Sequence, residues 1–389
     1  MNDICIAPHS PLVFRGGKTW GATGGADHFP FPPPATIAGA LRAAWGDQEH
    51  LDFALPVSPG HDIVRAVGCR GPLLCLLNDD GAIGTVYFPK PLDAVYAHDD
   101  VGGVLALTPQ LARAPDDRGS NLPSGVRPLV LSGEMTGKPV EGDAFWTQYE
   151  MEQWLLRGAT HTPPKKLGVR ELAVDLRTHI AIGESGAVVD GALFQSAGLE
   201  FSRKKLEKLE TFGMLVCFGE PLARAPRRIG GEGRSTTLLP RAGGEPSVFG
   251  GPQHPDLLAA LRGTVPTQMF RVVLATPAIF SCGWRPEWID KTTLIGHPPT
   301  SAAGVTVRLI AAAVDRWQAY SGWSLQTKQG HAVRRMAPAG SVYWFELVTG
   351  TGEDVAALWL QSICDADQDR LDGFGLVLPG SVNDVTAQI

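Results

Sequence analysis

The 389-residue sequence is poor in most things that announce a chemistry. It holds six cysteines, at 5, 69, 75, 217, 282 and 364, and none form a C-x-x-C pair. With no His pair to complete a set, zinc modules and disulfide scaffolds are excluded, and the thiols read as small buried hydrophobes of a reducing compartment. No apolar run reaches membrane-spanning length, and "MNDICIAPHSPLVF" lacks the basic start and long apolar core of a secretion signal. The expectation is a soluble cytoplasmic protein with no membrane partner. There is no G-x-x-x-x-G-K-[ST] loop, no H-E-x-x-H and no readable Ser-His-Asp spacing, so no catalytic set, metal or cofactor is expected. Nor is positive charge in excess: the net charge is -6. That value hides local distribution, on which nucleic-acid binding depends.

What is abundant is glycine (46) and proline (31), so loops are long and many. The length predicts two domains. "ATIAGALRAAWG" places Ile37, Ala40, Leu41, Ala44 and Trp45 on one helical face, with Thr36 or a preceding residue as cap, Gly46 at the stop and Arg42 on the other side. "FWTQYEMEQWLLRG" reads as a second helix with Tyr149, Trp154 and Leu155 inward, and "EDVAALWLQSIC" as a third. "GPLLCLLN", "GTVYFP", "RTHIAI", "GALFQ", "MLVCF", "MFRVVLATPAIF", "VTVRLIAAAV", "SVYWFEL" and "GFGLVLPG" read as strands, and "SRKKLEKLETF" as a charged turn or short helix. Residues 109–142 read as a partly mobile insertion. A Gly/Pro-rich stretch, "PRAGGEPSVFGGPQHP", separates the halves, giving domains 1–265 and 266–389. Strand, helix, strand at each end suggests an α+β chain of two ferredoxin-like (RRM-like) domains.

Cations gather between 203 and 241, where Arg203, Lys204, Lys205, Lys208, Arg224, Arg227, Arg228, Arg234 and Arg241 face only four acids. A solvated charged face explains that as well as a nucleic-acid groove does. Inside it, "IGGEGRS" can bring backbone N–H groups close to a phosphate or base, or be a plain turn. Arg334 and Arg335 stand at the mouth of an apolar strand, and arginine is costly to bury alone. Their partner is either an external anion or an internal carboxylate such as Glu346 or Asp315. Exposed tryptophans are expected in "GKTWG" and "CGWRPEW".

Taken in order, "FPPPATIAGALRAAWG", "IGGEGRS", "RRMAPAGSVYWFEL" and "GFGLVLPG" resemble the third subunit of the Cmr complex, the type III-B CRISPR interference module, within the RAMP superfamily. "LVFRGGKTW" and "GVRELAVDLRTHIAI…GALF" are similar to it as well. The resemblance implies two ferredoxin-like domains and a non-catalytic subunit that binds the 5′ handle of the CRISPR RNA. It implies bridging of the large polymerase-like subunit to a RAMP backbone subunit. RNA contacts are then expected from Arg15, Lys18, Arg42, Arg177, His179, Gly231, Gly233, Arg234, Ser235, Lys328, Arg334, Arg335, Gly373 and Gly375. A RAMP-type endoribonuclease using His28 or His331, and a scaffold with basic patches for acidic proteins, are the rival readings.

Overall fold

The computed structural model describes residues 2–14, 28–53, 59–97, 103–110, 122–135, 137–160, 162–205, 207–241, 246–302, 304–324 and 329–382. It is a mixed α/β structure built on several antiparallel sheets. The chain forms two compact units, one of Met1–Val86, Glu171–Gly243 and Ala319–Arg335, the other of Tyr87–Arg170, Gly244–Gln318 and Met336–Ile389. The sequence reading draws a single boundary at 265/266, whereas the chain crosses between units repeatedly. One crossing does fall inside the Gly/Pro-rich stretch 240–255. Composition marks where a loop is, but not which core the following segment joins.

In the first unit, β1 (Asn2–Pro8), β2 (Leu12–Val13), α1 (Pro34–Gln48), β3 (Cys69–Leu77), β4 (Ala173–Ile182), β5 (Val188–Glu200), β6 (Lys208–Phe218) and β7 (Ser235–Pro240) carry the structure. The main sheet runs Ala225–Arg228, β7, β1, β6, β3. The pairs are antiparallel, with Ile6 opposite Met214 on one side and Leu238 on the other. Ile4, Cys5 and Ile6 are all buried, because β1 is a central strand covered on both faces. Helix α1 buries Ile37, Leu41 and Ala44, as its spacing requires. Its start is Pro33 followed by Pro34, with no side-chain cap; a proline in the first turn sacrifices no hydrogen bond there. Gly46 lies within the helix rather than after it. "SRKKLEKLETF" is a β-hairpin in which Arg203 lies opposite Glu210, their side chains 2.6 Å apart.

The second unit is built on β8 (Met269–Leu274), β9 (Thr306–Ala313), β10 (Val342–Thr349) and β11 (Val377–Ser381), with helices α2 (Gln148–Arg157) and α3 (Gly352–Ala357) among its elements. Its largest sheet has the order Ile295–Gly296, β9, β10, β8, β11. Helix α2 begins at Thr147, whose hydroxyl accepts from the Glu150 amide, and ends on the left-handed Gly158. It buries Trp154 and Leu155, while Tyr149 points to solvent. Helix α3 stops well short of the predicted stretch. Beyond it the Leu360 amide donates to Val377 and the Ile363 amide to Gly375, so the backbone pairs with the returning chain instead of with itself.

The two main sheets share an order. Numbering four strands along each unit, the fourth lies beside the first, then the third, then the second: β7-β1-β6-β3 and β11-β8-β10-β9. Among the described residues of each unit, the connections between these four strands carry helices only in the first crossover of the first unit and only in the last crossover of the second. Of the six cysteines, five are buried and Cys282 is exposed. Among the described residues no helix is long and apolar enough to cross a membrane.

The "GFG" turn ahead of β11 is structural. Gly375 has φ +68°, and an added Cβ would sit 2.6 Å from the buried Cys364 sulfur. Gly375→Ala is expected to destabilise the second unit by at least the roughly 1–2 kcal/mol cost of the left-handed backbone, with overpacking added. Melting at the wild-type temperature would refute this.

Candidate nucleic-acid interface

The residues singled out in "RTHIAI" and "GALFQ" meet on one long hairpin. Strands β4 and β5 pair antiparallel, with Arg177 opposite Ser196 and His179 opposite Phe194. Cross-strand partners share a face, so these four form a polar side. The alternate residues form a mostly apolar side, interrupted by the pair Thr178 and Gln195, on which Leu176 (61%), Ile180 (49%), Ile182 (66%), Leu193 (63%) and Val188 (60%) remain exposed. At its base β5 pairs with β2, placing Gly198 opposite Val13.

The glycine loop closes on that same β2. Gly230, Glu232 and Gly233 all have positive φ, which turns the chain sharply. The Gly231 amide donates to the Val13 carbonyl at 2.8 Å, and the Ile229 amide to Arg234 O at 3.1 Å. A Cβ at position 230 would lie 2.6 Å from the Val13 oxygen, so only glycine allows this approach. The loop thereby brings Glu232 and Arg234 to the polar side of the hairpin. His179 Nε2 is 2.7 Å from Ser196 Oγ and 4.0 Å from Glu232 Oε1, and its ring stacks on Phe194 with centroids 5.0 Å apart. Arg234 Nη2 donates to Glu232 Oε2 at 2.7 Å. Burial works to raise the Glu232 pKa, but hydrogen bonds from Ser196 and Arg234 and the arginine's charge outweigh it and hold the carboxyl below its usual value. Arg234 Nε is buried and has no hydrogen-bond partner among the described residues. The cluster thus offers a stacked imidazole beside an ionised carboxylate and an arginine, a set suited to the edge of a base or a ribose hydroxyl.

Sequence reasoning named His179, Arg177, Gly231, Gly233, Arg234 and Ser235 and missed Ser196, Phe194 and Glu232. Only strand register places the first two, and Glu232 was visible as the acid inside "GGEG". Ser235 contributes through its backbone, opening β7 and accepting from the His9 amide at 3.1 Å. Arg177 is exposed beside Asp175, at 2.7 Å. Arg42 does not project outward: it is buried, and its Nε and Nη2 donate to the Val67 carbonyl at 3.0 and 2.8 Å. Gly373 and Gly375 belong to the second unit and are buried, so they offer no surface for a ligand. Arg15, Lys18, Lys328, Trp20, His161 and part of the 109–142 insertion lie outside the described residues.

The cationic window is much less positive in three dimensions than in sequence. Lys205 joins Arg203 on Glu210, Lys208 meets Asp79, Arg227 meets Asp47 and Arg241 meets Asp3, at 3.3–3.7 Å. These acids, all but Glu210, come from distant parts of the chain. Arg334 and Arg335 are exposed on the strand Arg334–Ala337, and the Arg334 guanidinium lies 5.8 Å from the centre of the Tyr320 ring. Glu346, one carboxylate considered for them, is held by Arg308 at 3.1 Å. Trp284 and Trp288 are half-buried; among the described residues the exposed tryptophans are Trp317 and Trp323. Among the described residues no His, Cys, Asp and Glu side chains are grouped to hold a metal ion.

A β-rich chain of two mixed α/β units, one carrying a two-faced hairpin with a glycine loop locked at its base, is the class of protein these features define. Residues 4–382 match the family model described as CRISPR-associated protein (Cas_Cmr3), and the chain belongs to that family, as the sequence resemblance indicated. No curated protein matches it. It is similar to chains in two cryo-EM structures of the type III-B Cmr-beta complex, one bound to cognate target RNA and the other to cognate target RNA and AMPPnP in state 1. Each has 12% identity and a TM-score of 0.46, over 88% of this chain and 86% of the other.

Proposed function

We propose that this chain is a non-catalytic, cytoplasmic RNA-binding subunit of a type III-B effector, binding the 5′ handle of the CRISPR RNA through its first unit. The convergence of His179, Ser196, Glu232 and Arg234 where the glycine loop meets β2 carries this reading, on the background of family membership. We read the recurring strand order as two reduced ferredoxin-like units, each missing one crossover helix. The apolar side of the hairpin supports assembly, since exposed Leu, Ile and Val side chains on either side of the Thr178–Gln195 pair suit burial against another protein. Its partners in this reading are the large polymerase-like subunit and a RAMP backbone subunit.

The full chain is expected to bind a repeat-derived handle RNA more tightly than a scrambled RNA of equal length. His179→Ala with Arg234→Ala should weaken handle binding by about 10- to 100-fold, the range for hydrogen bonds that involve charged groups. The RNA should be recovered intact. Equal affinity for both RNAs would favour the scaffold reading. Cleavage lost on His28→Ala, His179→Ala or His331→Ala would replace it with the endoribonuclease reading.

A further inference from the structure

Glu232 sits in the glycine loop with φ +59°, a left-handed backbone that strains a residue carrying a Cβ. The other left-handed positions of the loop, Gly230 and Gly233, are both glycine, which adopts this conformation freely. Position 232 could be filled in the same way, and Asn or Asp would tolerate it better than Glu. Strain kept at one position beside a candidate site points to a use for that side chain.

The Glu232 carboxylate is reachable and only partly occupied. Its side chain is 24% exposed, and Oε2 accepts from Arg234 Nη2 at 2.7 Å. That ion pair leaves little net charge at this point, so a phosphate gains little by docking there. Two carboxylate oxygens offer about four acceptor positions, and Oε1 lies 4.0 Å from His179 Nε2, too far for a direct hydrogen bond. Acceptor capacity is therefore left over, and an O–H or N–H of a ligand is what fills it. The hydrogens nearest to the carboxylate, on Arg234 Nη2 and Ser196 Oγ, are already given to it. A base edge sets donors beside acceptors and needs both in reply, whereas a ribose hydroxyl can be held by an acceptor alone. The tight turn suits the same group, since glycine lets the main chain of the loop come close to a sugar–phosphate backbone.

We infer that Glu232 accepts a hydrogen bond from a ribose 2′-hydroxyl of the bound strand, so that the glycine loop selects RNA over DNA. This rests on the RNA-binding reading and gives the acid of the loop its own part in it, the reading of the sugar.

The test uses the full chain, a fluorescein-labelled handle RNA, and the same RNA with a single 2′-deoxynucleotide placed at each position in turn. One of these substitutions should weaken binding to the unaltered chain by roughly 10- to 100-fold, the range for a hydrogen bond to a charged group. Glu232→Ala should bind the unmodified RNA more weakly by a similar factor, and should be indifferent to that same 2′-deoxy substitution. The direction is informative, because removing a negative charge that makes no contact strengthens binding to a polyanion. Glu232→Gln keeps the shape of the side chain and an acceptor for Arg234. It should melt at the wild-type temperature with a smaller loss of the same kind, and it decides the matter if Glu232→Ala melts early. Wild-type or tighter RNA binding by these variants would overturn the inference while leaving the RNA-binding reading in place. So would an unaltered chain indifferent to every 2′-deoxy substitution, as expected if the donor is a base N–H. A variant that binds weakly yet stays as sensitive to the 2′-deoxy substitution as wild type would also overturn it, and would assign Glu232 to holding Arg234. Failure of the unaltered chain to bind the handle RNA would remove the RNA-binding reading, and this inference with it.

Discussion

Arg271→Ala is expected to destabilise the second unit by about 3–5 kcal/mol, the usual cost of breaking one side of a buried ion pair. Arg271 sits on the central strand β8 and donates to Asp93 Oδ2 at 2.6 Å. Asp93 is fully buried, and its other oxygen accepts from Trp154 Nε1 at 2.9 Å. The second Nη of Arg271 donates to the Trp154 carbonyl, and its guanidinium lies 5.6 Å from the Trp154 ring. Truncating the arginine strands a buried carboxylate without its counter-charge, while the Trp154 carbonyl keeps only the Gly158 amide as donor, at 2.8 Å. Removing both charges, as Asp93→Leu with Arg271→Met, should recover part of the loss. It should not recover all of it, since Trp154 Nε1 still lacks a partner, at about 1–3 kcal/mol for a buried group left unpaired. Denaturant midpoints of the two variants decide the matter. A double variant less stable than Arg271→Ala would show that the pair contributes more than the charge it neutralises.

Arg334→Ala with Arg335→Ala should leave melting nearly unchanged and flatten the salt dependence of RNA binding. Both arginines are exposed, so the fold loses little when they are shortened. Each phosphate contact on a single strand contributes about 0.7 to the slope of log K against log salt, so losing two lowers it by roughly 1.4. Lysine at both positions should restore much of the slope but not the affinity, because lysine cannot reproduce the two-pronged arginine–phosphate bond. A double alanine variant that melts several degrees early yet keeps the wild-type slope would assign the pair to the core.

How far a residue's role could be read depended on the distance over which that role was set. The apolar face of helix α1 and the existence of α2 were legible because helical spacing acts within a few residues, whereas α1 starts at Pro34 and runs past Gly46, and Phe145–Thr147 ahead of α2 is a strand. The apolar row in "SVYWFEL" was legible as a strand for the same reason. Helix α3 was over-read: Leu358, Trp359 and Ile363 continue a helical spacing and are buried, but past Leu358 their backbone pairs with residues near Gly375. Arg42 looked outward from its helical angle, yet it is buried against a carbonyl supplied by a turn at Val67. The glycine loop was found as a loop, while its role depended on Val13, more than two hundred residues earlier.

By itself, then, the sequence determined the local elements, the absence of cysteine and histidine spacings for zinc, and the family, since each is written in short runs of residues. Tertiary structure decided where charge is spent. The window from 203 to 241 is strongly cationic along the chain, but Asp3, Asp47 and Asp79 come back across the sheet to pair with Arg241, Arg227 and Lys208. Two glycine turns that look alike were separated in the same way, one buried beside Cys364 and the other opening onto His179 and Ser196. Coulomb attraction and burial depend on separation in space, and along this chain the partners lie tens to hundreds of residues apart.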